Sequence, residues 1–256
     1  ASIEEQGKLT EELRVQIINA QTLVAVEDLY RPYRPKRRTR ATIAKEKGLE
    51  PLATLLMLQK IQKPLEEEAQ KYISAEKEVH TVEEAIAGAK DILAETVSDE
   101  ADYRSFIRNL TVKEGKMISS TKDDSVQSVY EMYYSFEEPV SRLAGHRILA
   151  LNRGEKEKIL NVKIEAPEEK ILRYLEKKII VSENPYTSEY LKEVAEDSYK
   201  RLIAPAIERE IRSSLTEKAE DSAITVFGKK SGTTSNAAAD RWTGCAWMGS
   251  GISDRM

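Results

Sequence analysis

The sequence predicts a mainly α-helical protein, a multi-helical array with one inserted β-hairpin. Apolar residues recur at helical spacing along most of the 256 residues, and 33% of the residues are charged while only 6% are aromatic. Strand-like alternation is confined to one stretch, residues 147–165. This combination is typical of a well-solvated helical protein rather than a sandwich or barrel.

The helices are predicted from their starts and apolar stripes. Thr10, followed by two glutamates, begins a helix that leads to residue 24, and Thr81 with Glu84 forms a capping box ahead of the stripe Ile86, Ala89 and Leu93. The same spacing predicts further helices over residues 42–47, 52–61, 65–73, 98–110, 168–178, 190–203 and, after Pro205, 207–215.

The predicted β-hairpin lies at about residues 147–165. Arg147–Asn152 and Leu160–Glu165 flank Gly154, and in the second segment Leu160, Val162 and Ile164 alternate with polar residues. Alternation of this kind is typical of a strand with one buried face.

A basic linker at residues 30–41 has the opposite charge to the rest of the chain, which carries a formal net charge of −4. Two prolines, Pro32 and Pro35, fix φ and disfavour the α region for the residues before them, so we expect an extended segment. The candidate nucleic-acid-binding residues are Arg31, Tyr33, Arg34, Lys36, Arg37, Arg38 and Arg40.

Two interpretations of this linker stay open. Arginine forks match phosphate oxygens, and Tyr30 or Tyr33 could stack on a base, which would make the linker a nucleic-acid contact. Alternatively, the cations pair with carboxylates of neighbouring helices while the tyrosines pack on the core.

Other chemical signals favour structural roles. Arg104 and Arg108, four residues apart, could contact a phosphate, but pairing with carboxylates is the simpler interpretation. The aromatic run at residues 129–136 is expected to pack in a core, and His80 and His146 lack partners at metal or triad spacing. We therefore expect no catalytic residues, no metal site and no cofactor, and the protein is not predicted to be an enzyme.

The expected compartment is the cytoplasm. There is one cysteine, Cys245, so no internal disulfide can form, and no apolar run is long enough for a membrane span. No membrane partner is expected, and any nucleic-acid contact must be local because the chain as a whole is acidic.

The motif Glu27-Asp28-Leu29-Tyr30, followed by the Pro-Tyr-Arg-Pro-Lys-Arg-Arg-Thr-Arg segment and by Gly48-Leu49-Glu50-Pro51, resembles the Tex family of bacterial transcription accessory proteins. Matching motifs at residues 102–108, 130–134, 138–140 and 146–155 extend the resemblance over residues 1–228. It implies a helical N-terminal region, whose first helices would precede Ala1, of a nucleic-acid-binding protein. In the family a YqgF domain, helix-hairpin-helix elements and an OB-type RNA-binding domain follow this region.

Residues 229–256 are predicted to be a disordered, out-of-frame tail. When each codon is read one base later, Trp242, Trp247 and Met248 must become Gly, Gly and Trp, and the following codons permit Asp-Pro-Ala-Phe-Arg-Thr-Gly, which is the motif of the family's YqgF domain. We therefore expect a frameshift at Lys229 and Lys230. A naturally divergent tail is the alternative.

The expected function is that of a truncated RNA- or DNA-binding transcription accessory protein that retains the helical scaffold and lacks the YqgF, helix-hairpin-helix and OB-type domains. Its binding should be weak, independent of sequence and strongly salt-dependent. The transcription machinery is a second candidate partner. The alternative is a helical protein–protein interaction module that does not bind nucleic acid.

Overall fold

The computed structural model describes the backbone of residues 2–34, 38–121, 123, 125 and 127–242, and the side chains of these residues except residue 2 and residues 226–242. Most of this backbone is helical, which confirms the mainly α class. The helices are α1 (Ser2–Glu5), α2 (Glu11–Asn19), α3 (Leu23–Tyr30), α4 (Arg40–Glu46), α5 (Glu50–Leu58), α6 (Leu65–Ala69), α7 (Val82–Asp99), α8 (Ala101–Glu114), α9 (Gly145–Lys156), α10 (Glu168–Ile179), α11 (Ser188–Asp197) and α12 (Ala204–Trp242).

A small sheet interrupts the helices. Its strands are β1 (Lys116–Thr121), β2 (Ser135–Pro139) and β3 (Leu160–Glu165), and β1 lies between the other two. Short 3-10 turns occupy Arg31–Tyr33, Gln70–Tyr72, Glu131–Tyr133 and Val140–Arg142, and a π-helix, Ser198–Ile203, lies between α11 and α12.

The predicted β-hairpin is wrong in its first strand and right in its second. Leu160–Glu165 forms β3 with the predicted alternation of buried and exposed residues. Arg147–Asn152, however, lies within α9, whose buried residues Ile148, Leu151 and Gly154 are three apart, as on a helix face. Leucine and alanine favour a helix in this stretch, and β3 pairs with β1 instead.

The chain divides into two compact units. The first comprises Ala1–Met117, Pro139–Ser141 and Lys163–Ile211, and the second comprises Ile118–Glu138, Arg142–Val162 and Arg212–Met256. The long helix α7 is the centre of the first unit, where α4, α5, α6, α8 and α11 pack against it. Its predicted stripe Ile86, Ala89 and Leu93 is buried.

The start of α7 shows how the sequence fixes a helix end. The Thr81 hydroxyl accepts a hydrogen bond from the Glu84 backbone N–H at 3.2 Å, and the Glu84 carboxylate accepts one from the His80 N–H at 2.8 Å. The capping box is thus confirmed, with its return bond shifted by one residue to His80.

In the second unit, α9 packs closely on β3. An added Cβ at Gly154 would lie 2.6 Å from Leu160 Cδ1 and 3.2 Å from Tyr130 Cδ1, so only glycine allows this approach. Tyr130 and Tyr133 are buried, which confirms a core role for part of the aromatic run. That run forms a 3-10 turn and β2, not a helix.

The last helix differs from the sequence prediction. α12 continues to Trp242, past residue 229, where disorder is predicted to begin. Ala237, Ala238 and Ala239 are strong helix formers and favour this continuation. Residues 243–256 lie outside the described residues, and the frameshift origin of the tail stays a prediction.

Candidate nucleic-acid interface

The basic linker begins as a helical turn and becomes extended only at Arg34. Arg31 has φ −51° and ψ −44°, although Pro32 follows it, because its N–H bonds the carbonyls of Asp28 and Glu27 and so continues α3. The expectation of an extended backbone is wrong there. Arg34, before Pro35, has φ −68° and ψ 132° and is extended as predicted.

The structure places the seven candidate residues in different environments. Arg31 is half-buried with its Nε 4.0 Å from Asp99 Oδ1, and half-buried Tyr33 accepts a hydrogen bond from Gln6 through its carbonyl. Arg34 and Arg40 are exposed. Arg38 is exposed and donates to Glu46 Oε2 at 3.1 Å. Lys36 and Arg37 lie outside the described residues.

The cleft beside the linker has mixed charge. It measures about 480 Å³. Its charged lining residues are Arg34, Lys45, Glu95, Asp99 and Glu100. Three carboxylates against two cations disfavour a phosphate inside this cleft. The exposed arginines of the linker, Arg34, Arg38 and Arg40, are therefore the described groups that a polyanion could reach.

Arg104 and Arg108 belong to a buried charge cluster with Asp28 and Glu210. Arg104 donates to Asp28 Oδ1 at 2.7 Å and to Glu210 Oε1 at 2.6 Å, and Arg108 donates to the other oxygen of each carboxylate at 2.8 Å. Arg104 is 1% exposed and Asp28 5%. Both arginines are thus committed to carboxylates, as the simpler interpretation predicted.

The partners in this cluster come from other helices, which sequence reasoning missed. Asp28 lies on α3 and Glu210 on α12, whereas the carboxylates that closely precede these arginines in the sequence are Asp99, Glu100 and Asp102. The available signal was an acid at helical spacing from apolar residues: Asp28 lies four residues after Val24, and Glu210 lies three residues after Ile207. A buried acid of this kind requires a cationic partner.

The cluster also affects the start of the linker. Burial, then repulsion from Arg104, lowers the pKa of Arg31 below its usual value, and Asp99 opposes this effect. Burial also acts to lower the pKa of Arg108. The hydrogen bonds to Glu210 and Asp28 outweigh the effect of burial, so the pKa of Arg108 is raised. Asp28 therefore holds the end of α3, three residues before Arg31, by charge-assisted bonds.

Within the described residues, no group of three or more His, Cys, Asp or Glu side chains is arranged to hold a metal ion. In the same part of the chain, no helix is both long and apolar enough to cross a bilayer.

The fold and this site define a multi-helical scaffold that displays a local basic segment. Residues 60–227 match the family model described as Tex central region-like. The chain belongs to the Tex family.

Named relatives agree with this assignment. The chain is 52% identical to the protein YdcI of Bacillus subtilis over 89% of its own length and 32% of that protein. It is 35% identical to Protein tex of Bordetella pertussis over 88% of its length and 30% of that protein. Human S1 RNA-binding domain-containing protein 1 is 29% identical over 89% of the chain and 24% of that protein. The chain thus spans about a third or less of these relatives.

Proposed function

We propose that this chain is the helical part of a transcription accessory protein and that its basic linker makes sequence-independent contacts with the phosphate backbone of RNA or DNA. It would act in the cytoplasm and have a binding role, not a catalytic one. A relative 34% identical to it is called Transcriptional accessory protein Tex of Neisseria gonorrhoeae, which supports the assignment to transcription.

The observation that carries the proposal is the exposure of the linker's cations. Arg34, Arg38 and Arg40 are exposed, whereas Arg104 and Arg108 form hydrogen bonds with the buried carboxylate of Asp28. Arg40 lies in the first turn of α4, where the helix dipole disfavours a cation. Attraction to Asp91 on α7 offsets part of this cost, and the exposed side chain leaves the guanidinium accessible to a phosphate.

The test is a salt titration of binding to labelled RNA and duplex DNA with the variant R34A/K36A/R37A/R38A. We expect a measurable affinity at low salt that falls steeply with salt. In the variant, which loses four cations, the slope of log K against log salt for duplex DNA should drop by up to about 3.6, because each lost phosphate contact removes about 0.9. The matched control K60A/K63A/K71A/K192A removes four exposed cations elsewhere. An unchanged slope in the linker variant would refute the assignment.

A helical protein-interaction module is the second candidate, and a groove in the first unit favours it. The groove measures about 310 Å³ and is lined mainly by apolar residues of α1, α2 and α3, with Ile18 71% exposed. Nearby in sequence, Leu23 is 73% exposed. If this candidate is correct, the chain does not bind nucleic acid even at low salt. Instead, it is retained on immobilised purified RNA polymerase, and the variant I18S/L23S is not retained.

A further inference from the structure

A cluster of three aromatic rings lies on the surface of the first unit, between α8 and α10. Phe106 and Tyr174 are stacked, with ring centroids 3.7 Å apart and planes at 14°. Tyr103 meets Tyr174 edge-on at 6.0 Å. Phe106 is 38% exposed, so the stack is open to solvent instead of closed within the core. An exposed aromatic surface of this kind offers a face on which a flat ring can stack.

The exposed surface of α10 carries four cations, while two exposed glutamates, Glu168 and Glu169, lie in its first turn. Its inner face buries Ile171, Leu175 and Ile179, which turns Lys170, Arg173, Lys177 and Lys178 outward, where all four are exposed. Lys178 Nζ lies 5.8 Å from the Tyr174 ring centroid, close enough for a cation–π contact. Lys170 pairs with Glu114 at 2.5 Å. Among the described residues, no carboxylate lies within ion-pair distance of Arg173, Lys177 or Lys178.

Two acidic residues, Glu100 and Asp102, also lie near the rings. Burial, then Asp102 and Glu100, raises the pKa of the Tyr174 phenol, which places both carboxylates within electrostatic range of the ring. Both are exposed: Glu100 is the N-cap of α8 and Asp102 lies in its first turn. A polyanion would be repelled along α8 and attracted along α10. Such a polyanion would therefore be expected to follow the cations of α10 rather than the start of α8.

α10 is a rigid support for this surface. The Gln59 side chain donates to the carbonyl of Ile179 at 2.8 Å and accepts from the N–H of Val181 at 3.0 Å, which fixes the end of the helix. The buried stripe and this bond hold Tyr174 in place, so the stack is formed before any ligand arrives.

We propose that Phe106 and Tyr174, with Arg173, Lys177 and Lys178, form a binding surface for single-stranded nucleic acid. An unpaired base stacks on the open side of Phe106, and the phosphates follow α10. Duplex bases already stack on each other and present no free face, so only unpaired strands gain from the rings. This surface shares no residue with the basic linker, and each of the two can bind or fail independently.

The test uses the full chain and labelled strands of about 12 nucleotides, a length chosen from typical site sizes: single-stranded RNA, single-stranded DNA and an abasic strand with the same phosphates. F106L keeps an apolar side chain for packing on Tyr174 but removes the ring face. We expect F106L to weaken RNA or DNA binding by about tenfold and to leave abasic binding unchanged. The RNA and DNA arms tell which nucleic acid is preferred.

The matched control is F136L. Phe136 is also half-exposed and makes an edge contact with Tyr133 and a cation–π contact with Arg147, but it lies in the second unit. F136L should leave binding unchanged. Equal losses in F106L and F136L, equal losses on base-containing and abasic strands, or no binding of any single strand by the wild-type chain would overturn the proposal.

Two charge variants keep the test independent of folding. R173A/K177A/K178A should lower the salt slope on single strands by up to about 2, since each contact contributes about 0.7. D102N should raise affinity by about twofold, because it removes a repelling carboxylate, and a gain cannot come from misfolding. An unchanged slope and no gain in D102N would refute the surface. If R34A/K36A/R37A/R38A loses duplex binding while these variants do not respond, the proposed function stands and this inference fails.

Discussion

Arg104 is the residue on which the helix packing of the first unit depends most directly. It is 1% exposed and bonded to both Asp28 and Glu210. We expect R104A to lower the free energy of unfolding by about 3–5 kcal/mol, because it leaves two carboxylates without part of their compensation in a buried site. Urea denaturation followed by circular dichroism measures this change.

R201A is the matched control for this prediction. Arg201 also bridges two acids, Asp91 and Asp197, but it is about a third exposed, so its loss should cost about 1 kcal/mol or less. If R104A and R201A cost the same, the buried cluster is not a major source of stability. The double variant R104L/D28L should be milder than R104A, since both charges of one pair are removed.

Tyr199 gives the protein a specific sensitivity to high pH. Burial, followed by Glu168 and Glu208, raises its pKa to about 12, above the usual value of about 10. Between these values the folded chain holds the phenol proton while the unfolded chain releases it. The stability from this group is thus complete below about pH 10 and falls as the pH rises toward 12.

We expect Y199F to lose less stability than the wild type between about pH 10 and 12, by up to about 2 kcal/mol. Chemical denaturation at several pH values in this window gives the difference. Y72F, which removes one half-buried phenol elsewhere, serves as the control. Parallel pH profiles for the wild type and Y199F would contradict the prediction.

Among the helices, α7 illustrates how packing can reverse a helix propensity. Alanine normally stabilises a helix interior relative to glycine by about 1 kcal/mol. At Gly88, however, an added Cβ would lie 2.4 Å from Leu49 Cδ1 and 3.3 Å from Ala44 Cβ. We expect G88A to destabilise the protein by about 1–3 kcal/mol because it overpacks the contact with α4 and the start of α5.

Two variants check that prediction by urea denaturation. A87G, at an exposed position in the same helix, should cost about 1 kcal/mol from propensity alone. L49A opens space opposite Gly88, so G88A should be less harmful in an L49A background than in the wild type. Stabilisation by G88A in the wild-type chain would show that Leu49 moves aside without cost.

Elements with a clear apolar period could be predicted from the sequence, and those defined by distant pairing could not. The stripe of α7 and the alternation of β3 depend on local spacing, and both are confirmed. The segment Arg147–Asn152 is short and apolar, so its sequence is compatible with either a strand or a helix. In the structure it is part of α9, which buries Ile148 and Leu151 on one face. The pairing of β1 with β3 is non-local.

The same limit applies to the candidate site. The basic composition of the linker is visible in the sequence, but which cations are free depends on acids brought from afar. Asp99 reaches Arg31 and Glu46 reaches Arg38, and neither contact follows from spacing within the linker. Phe106 lies on α8 and Tyr174 on α10, and the three strands and α9 lie between these helices in the sequence. Their stacking is therefore a long-range contact that local spacing could not predict.

For the whole molecule, the acidic net charge limits how nucleic acid can bind. With 44 acidic and 40 basic residues, long-range attraction is absent and only local cations contribute. We expect affinities for two duplexes of equal length and unrelated sequence to agree within about twofold, because backbone contacts carry no base information. Fluorescence anisotropy at low salt measures both. A difference above about tenfold would point to base recognition instead.

The anchoring of the linker sets the length of strand that it can cover. Its start is held by Asp28 in the charge cluster, and its end by Ala41 and Ala44, which are buried in α4. Twelve residues, 29–40, separate Asp28 from Ala41, and a chain of that length extends at most about 40 Å. A tether this short cannot wrap a duplex. Its footprint is limited to a few adjacent phosphates, so several molecules could occupy neighbouring sites on one strand.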